Sequence, residues 1–266
     1  MTDIAVEPPL LVERHGSVAR IAFNRPRSAN AIDLATARAL LAAAIACDDD
    51  PAIRCVLLTG TGKLFCAGGD VTSFAAAGDA LPALLKELTA YLHAAIARLA
   101  HMQKPLVTAV NGAAAGAGLS LAVLGDIVLA TESARFSLAY TKIGLSPDGG
   151  STWLLPRLIG LRRTQELALT NRRLSASEAA QIGLVTRVVP DGTLEDEAAN
   201  VAVELAAGAT GAFGRTRSLL LSSFAATLET QMDAEARAIA EASRGAESRE
   251  GLRAFHEGRE PRFEGA

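Results

Sequence analysis

Between Lys104 and Ala130 the chain reads KPLVTAVNGAAAGAGLSLAVLGDIVLA, with no formal charge from Pro105 to Gly125. An apolar run, Leu106 to Val110, meets Asn111-Gly112 and then Gly116 and Gly118. A strand that feeds a turn of residues with little or no side chain leaves backbone N–H groups uncovered. A helix starting at about Gly118 aims its unpaired first-turn donors at the same spot. Such a spot suits a phosphate or a developing oxyanion. The arrangement also occurs earlier, where the apolar run Ile53 to Thr59 enters a loop that ends Cys66-Ala67-Gly68-Gly69-Asp70. The length of the later run would allow a membrane span, but its glycines and the Asn-Gly turn speak against one.

Other chemistry-bearing residues are weaker candidates. Gly118-Leu119-Ser120-Leu121-Ala122 is half of a nucleophile elbow; the second glycine is missing, and only His256 lies downstream to complete a serine–acid–histidine order. Cys66, beside the first glycine loop, reads as a small buried apolar residue. His15, His93, His101 and His256 have no matched partners and read as surface or helix-face residues. Asp48-Asp49-Asp50-Pro51 is a solvated turn, since a calcium loop needs alternating oxygen ligands over a longer stretch. Pro147-Asp148-Gly149-Gly150 is also a turn, with Asp148 placed to cap a helix running through Trp153 to Leu158.

The elements that must position these residues follow a layered α/β pattern. Leu10 to Glu13 and Val18 to Phe23 form a hairpin around His15-Gly16-Ser17. Asp33 caps a helix whose apolar face is Leu34, Ala37, Leu41, Ala44 and Ile45. Ile53 to Thr59 is a buried strand, parallel to its neighbours. A long helix spans about Leu84 to Met102, and strands follow at Leu106, Ile127 and Ala134. Ser175 and Glu178 make a capping box for a helix closed by Gly183, and Thr186 to Val189 is a last strand. From Leu194 onward only helices occur, near 194–206, 212–224, 229–242 and 246–257. The expected organisation is a β-rich catalytic domain over 1–193 and a helical segment over 194–266, for cover or assembly.

Composition narrows the class. A chain of 266 residues has ample length for a core. Half of it is hydrophobic and only 4% aromatic, so the core is aliphatic and alanine-rich. The net charge of −3, with dispersed signs, gives no pull toward nucleic acid or an anionic membrane. Three cysteines without metal spacing imply neither a disulfide framework nor a zinc site, and fit a reducing cytosol. The N-terminus shows no secretory signal. A soluble cytoplasmic protein is expected.

Five segments together resemble the crotonase superfamily, the enoyl-CoA hydratase/isomerases. They are Asn24-Arg25-Pro26 with Ala29-Asn30-Ala31, Phe65 to Asp70, Asn111-Gly112 with Gly116-Ala117-Gly118, Gly144 to Ser151, and Phe255 to Phe263. The resemblance covers nearly the whole chain. It implies an α/β spiral of ββα turns with a C-terminal helical segment, assembled as a trimer or a hexamer of paired trimers. It further implies that the backbone N–H groups of Gly69 and Ala117 form a thioester oxyanion hole. The chain around Arg27, Ala29, Ala31, Ala67 and Asp70 would hold the coenzyme A nucleotide, with Arg27 near the phosphates. Coenzyme A enters as part of an acyl-CoA substrate, and no separate cofactor is implied.

Departures from the family pattern point to the reaction. The two glutamates of the family's hydratases correspond to Ser120 and Tyr140, neither a competent general base at neutral pH. A third family position, the acid/base of some isomerases, corresponds to Asp148. The resemblance is closest to isomerases of the phenylacetate-degradation type, acting on unsaturated or ring-epoxide acyl-CoA thioesters. A double-bond shift needs one base that takes a proton at C2 and returns it at C4, and a single carboxylate in an apolar pocket can do both. The alternatives are another reaction on the same scaffold (hydration, C–C cleavage or thioester hydrolysis) and a non-catalytic acyl-CoA binder.

Overall fold

A computed structural model describes residues 7–263 of the chain. Strands β1 (Leu10–His15) and β2 (Val18–Phe23) form the antiparallel hairpin, turned at Gly16 with φ 60°. Every further pairing in this sheet is parallel. β3 (Cys55–Gly60) lies beside β2, β4 (Leu106–Val110) beside β3, and Ile127–Thr131 and Arg187–Val189 complete six strands. The central strands β3 and β4 are buried along their whole length, as continuous apolar runs in a sheet covered on both faces must be.

After leaving the large sheet, successive passes of the chain add a short piece to a second layer. Ile32 bridges Gly69, and Cys66 bridges Ala114. β5 (Ala113–Ala115) then pairs in parallel with Arg135–Ser137. Each pass therefore contributes a long strand, a short strand or bridge, and in most passes a helix, which is the ββα spiral the resemblance implies. The pieces of the second layer carry the glycine loops, so the spiral stacks the loops that end at Gly69 and Gly118 against each other.

The helices follow the expected order, with differences that have physical causes. α1 (Leu34–Asp49) is capped by Asp33, whose carboxylate accepts the Thr36 N–H. It buries Ala37, Leu40, Ala43, Ala44 and Cys47, whereas Ile45 is 48% exposed. A helix this rich in alanine is apolar on most sides, so its own sequence does not choose the buried face. Packing against the long helix does. α2 (Val71–Ala77) is a separate short helix capped by Asp70, and α3 (Leu81–His101) begins earlier than its periodicity indicates. The Lys104 ammonium group closes the far end of α1 by donating to the carbonyls of Cys47, Asp48 and Asp50.

α4 (Ala117–Ala122), α5 (Ser151–Ile159), α6 (Leu161–Thr170) and α7 (Ala176–Gln181) follow, the last opened by the Ser175/Glu178 capping box. α8 (Leu194–Ala207) covers the second face of the large sheet. Leu194, Ala198, Ala202 and Ala206 line one stripe of it, packed against Val18, Leu57, Val107, Ala109 and Leu129. In packing terms α8 belongs with the sheet, and the remainder of the expected helical segment follows it. That remainder consists of α9 (Thr210–Ser223), α10 (Leu228–Ser243) and α11 (Ala246–Glu257). Among the described residues no helix is long and apolar enough to cross a membrane.

Candidate active site

The loop that leads into α1 is held from inside by Asn30. Its side chain accepts the Arg25 N–H and donates to the carbonyls of Thr61 and Leu64, so it ties this loop to the one after β3. Ala29 and Asn30 both adopt the left-handed backbone region, with φ 54° and 55°. For alanine that conformation costs about 1–3 kcal/mol, and the surrounding hydrogen bonds must offset it. Arg25 adds a second tie, reaching the Ala31 carbonyl and the carboxylates of Asp70 and Asp33.

The two glycine loops meet backbone to backbone. A Cβ at Gly68 would lie 2.7 Å from the Ala115 oxygen, and one at Gly118 would lie 2.1 Å from the Cys66 oxygen. Only glycine permits that approach. In the bridge to Ile32, the flanking groups are the ones consumed: Gly68 O accepts from Ile32 N, and Asp70 N donates to Ile32 O. Among the described residues the N–H of Gly69 has no backbone partner. Ala117 is the first residue of α4, where an N–H has no partner within the helix. Both residues line one cavity of about 470 Å³.

The cavity wall is apolar over Phe74, Leu85, Leu88, Leu92, Ile143 and Leu145. Among the described residues, the charged side chains that line it are Asp148, Lys86 and Lys142. Asp148 does not cap α5, whose N-cap is Gly150 with no side-chain bond. Instead the Asp148 backbone carbonyl accepts Ser120 Oγ at 3.1 Å and Ser151 Oγ at 2.9 Å, which frees its carboxylate to face the cavity. The expected capping role of Asp148 is thus corrected, and no competition between capping and chemistry arises for its carboxylate oxygens.

Tyr140 lines the same cavity and donates its phenol O–H to Asp148 Oδ1 at 2.5 Å. Burial, followed by the neighbouring Asp148 charge, pushes the phenol far above the ordinary tyrosine range, so it stays a donor. His93 is the residue that sequence reasoning missed. Its Nε2 accepts the Gly149 N–H at 3.1 Å and lies 3.8 Å from Asp148 Oδ2. Nε2 is engaged by that N–H, and 3.8 Å is too long for a hydrogen bond to the carboxylate. The signal for His93 is faint. It flanks the buried α3 stripe of Leu88, Leu92 and Ile96, and its hydrogen-bond partner Gly149 is 56 positions away in the chain.

The other residues singled out from the sequence divide. Ala67 lines the cavity. Ala29 and Ala31 lie in the adjoining loop, but their carbonyls accept from Ala67 N and Arg25 Nη1. Asp70 is buried and holds Arg25 and the Ser73 N–H. Burial opposes its charge, yet those two partners outweigh it and keep the carboxyl below its ordinary value. Its role in the structure is to brace the loop. Arg27 is exposed and, among the described residues, forms no ion pair. Ser120 is buried beneath the Asp148 turn rather than in the cavity wall, and its hydroxyl finds a carbonyl instead of an imidazole. Burial pushes the Cys66 thiol up to about 12, so it is no nucleophile at neutral pH.

Residues 13–266 match a sequence family described as enoyl-CoA hydratase/isomerase. The chain is 41% identical to a 1,2-epoxyphenylacetyl-CoA isomerase of Escherichia coli K12, over 93% of this chain and 95% of that protein. It is 39% identical, over the same shares, to a protein of Rhodobacter capsulatus named probable enoyl-CoA hydratase. Its fold superposes on the crystal structure of an enoyl-CoA hydratase from Polaromonas sp. JS666 with a TM-score of 0.91 and 32% identity. That match covers 95% of this chain and 98% of the other.

Proposed function

The chain belongs to the enoyl-CoA hydratase/isomerase family of enzymes, and on that premise we propose that it is an acyl-CoA isomerase with Asp148 as its acid/base. One observation carries the reading. Among the described residues, Asp148 is the only acidic side chain lining the cavity that Gly69 and Ala117 also line. Adding water to a double bond takes one group to activate the water and another to deliver a proton to carbon. Moving a double bond takes one group that does both proton transfers in turn.

The proposed sequence starts with the thioester oxygen on the N–H groups of Gly69 and Ala117. Asp148 takes a proton from C2, and the electron pair moves through the carbonyl to give a dienolate. The two N–H groups stabilise its oxyanion, each by about 2.7–4 kcal/mol. Asp148 then returns the proton at C4. The apolar wall suits an unsaturated or ring-bearing acyl group, and the name of the Escherichia coli relative favours the same substrate class. Coenzyme A takes part only as a portion of the substrate. Arg27 and the backbone near Ala29, Ala31 and Ala67 hold its nucleotide.

Two further features belong to this proposal. The three free cysteines are buried thiols, which supports a reducing, cytoplasmic setting. The enzyme assembles as a trimer or a pair of trimers, supported by the exposed apolar residues of α9, α10 and α11.

The test is Asp148→Asn, which keeps the size and an acceptor for Tyr140 but removes the base. Conversion of a 3-enoyl-CoA to its conjugated isomer is followed by ultraviolet absorbance, beside water addition to a 2-enoyl-CoA. The variant should lose orders of magnitude in kcat with thioester affinity nearly kept. Efficient hydration by the wild type, or undiminished isomerisation by Asp148→Asn, would reject the mechanism.

A further inference from the structure

The two carboxylate oxygens of Asp148 stand in different surroundings. Its backbone is pinned by Ser120 and Ser151 through the carbonyl, which still leaves the carboxylate free to rotate. Tyr140 removes that freedom by donating to Oδ1 at 2.5 Å. Oδ2 receives no hydrogen bond from any described residue, since His93 Nε2, 3.8 Å away, is occupied by the Gly149 N–H. Tyr140 is held in its turn, half-buried in the cavity wall, with its neighbours Thr141 and Lys142 in the same short helix.

We propose that Tyr140 is a positioning residue that anchors Asp148 Oδ1 and thereby assigns both proton transfers to Oδ2. The proposal rests on the reading of Asp148 as the base. The proton leaves C2 for Oδ2, the C2–H electron pair enters the dienolate, and the same proton passes from Oδ2 to C4. Tyr140 keeps its own proton throughout. A hydrogen bond to the ionised carboxylate favours the charged form, so losing the phenol oxygen makes Asp148 harder to deprotonate. Activity needs the deprotonated base, so the acid limb of the pH profile must then move to higher pH.

The experiment compares kcat against pH for double-bond migration in the wild type and in Tyr140→Phe. Both are also measured in a His93→Gln background, because His93 is the other titratable group facing Asp148. Lys86 and Lys142, which line the same cavity, are left unchanged. Tyr140→Phe should lower the plateau kcat by about tenfold, keep KM within about twofold, and raise the acid limb by about one pH unit in both backgrounds. A lowered kcat with an unmoved limb means that Tyr140 only fills space, and overturns the proposal.

A second arm guards against a misfolded variant. The chain has two tyrosines, Tyr91 and Tyr140, so Tyr91→Phe leaves one. Fluorotyrosine incorporated there is a stronger donor of nearly the same shape, and should move the acid limb to lower pH. A limb that stays, or moves up, overturns the proposal even if Tyr140→Phe does not fold. Active Asp148→Asn would reject the base itself. Inactive Asp148→Asn with immobile limbs in the tyrosine variants would reject only the role of Tyr140.

Discussion

Ser120 Oγ donates to the backbone carbonyl of Asp148 at 3.1 Å, so a buried hydroxyl on α4 holds the turn that carries the proposed base. The same carbonyl keeps two donors from Ser151, its N–H at 3.2 Å and its Oγ at 2.9 Å. Ser120→Ala removes one bond of three and leaves no orphaned partner. The net loss is about 1 kcal/mol of stability, and kcat should fall by only about two- to fivefold. A fall of three or more orders of magnitude, with the fold intact, would point to a serine nucleophile instead.

Ala117 offers a way to delete a backbone donor without rebuilding the loop. It is the first residue of α4, a position where proline fits a helix and where the N–H has no helical partner to lose. Ala117→Pro should lower kcat by about 10² to 10³, with circular dichroism unchanged. Ala117→Val adds bulk but keeps the N–H, and serves as its control. Equal losses in the two variants would show that bulk, not the donor, is what matters at this position.

How much of this was legible in the sequence depended on whether the cause was local. Periodicity and turn chemistry place β4, the strand Ile127–Thr131, the hairpin at Gly16 and all four C-terminal helices within a few residues of where they lie, because each is specified by its own residues. The buried face of α1 was not legible, since alanine on every side lets a neighbouring helix decide. Nor was the affiliation of α8, whose Ala198, Ala202 and Ala206 gain meaning only against a sheet built from distant segments. The resemblance supplied Asp148, Gly69 and Ala117. It did not supply His93 or the bond from Tyr140 to Asp148, because both depend on a turn meeting side chains that other segments bring to it.

Glu178 gives the fold an acid-sensitive joint away from the cavity. Its carboxylate accepts the Ser175 N–H, then Arg172, then the Ser175 hydroxyl, and these contacts hold it down at about 2, from an ordinary 4.5. A depressed carboxyl stabilises the folded state above the unfolded value and ceases to do so as pH falls through the folded one. The contribution should therefore be whole above pH 4.5 and vanish toward pH 2. Urea midpoints of the wild type and Glu178→Gln should differ by a constant amount near neutrality and converge across that window. A gap that stays constant down to pH 2 would assign the effect to hydrogen-bond geometry rather than charge.

The last prediction concerns α10 and α11, which present more apolar surface than a monomer gains from. No residue of α10 is buried, Ile239 is 73% exposed, and Phe255 on α11 is 86% exposed. Leu228, Met232 and Leu252 on the same two helices are also exposed, and large apolar side chains turned outward in such number suit an interaction site. Phe224, where α9 ends, is engaged within the chain, stacked edge-on to Trp153 with the Arg157 guanidinium over both rings. Ile239 and Phe255 are therefore the better probes. If the chain assembles as a trimer through these helices, Ile239→Glu and Phe255→Glu should each lower the mass measured by sedimentation while leaving the folded monomer as stable as before. Exposed positions carry almost no cost for a charge within one chain, so any large effect must come from a second copy. A wild type that sediments as a monomer at micromolar concentration, or two variants that keep the full assembled mass, would remove α10 and α11 from the interface.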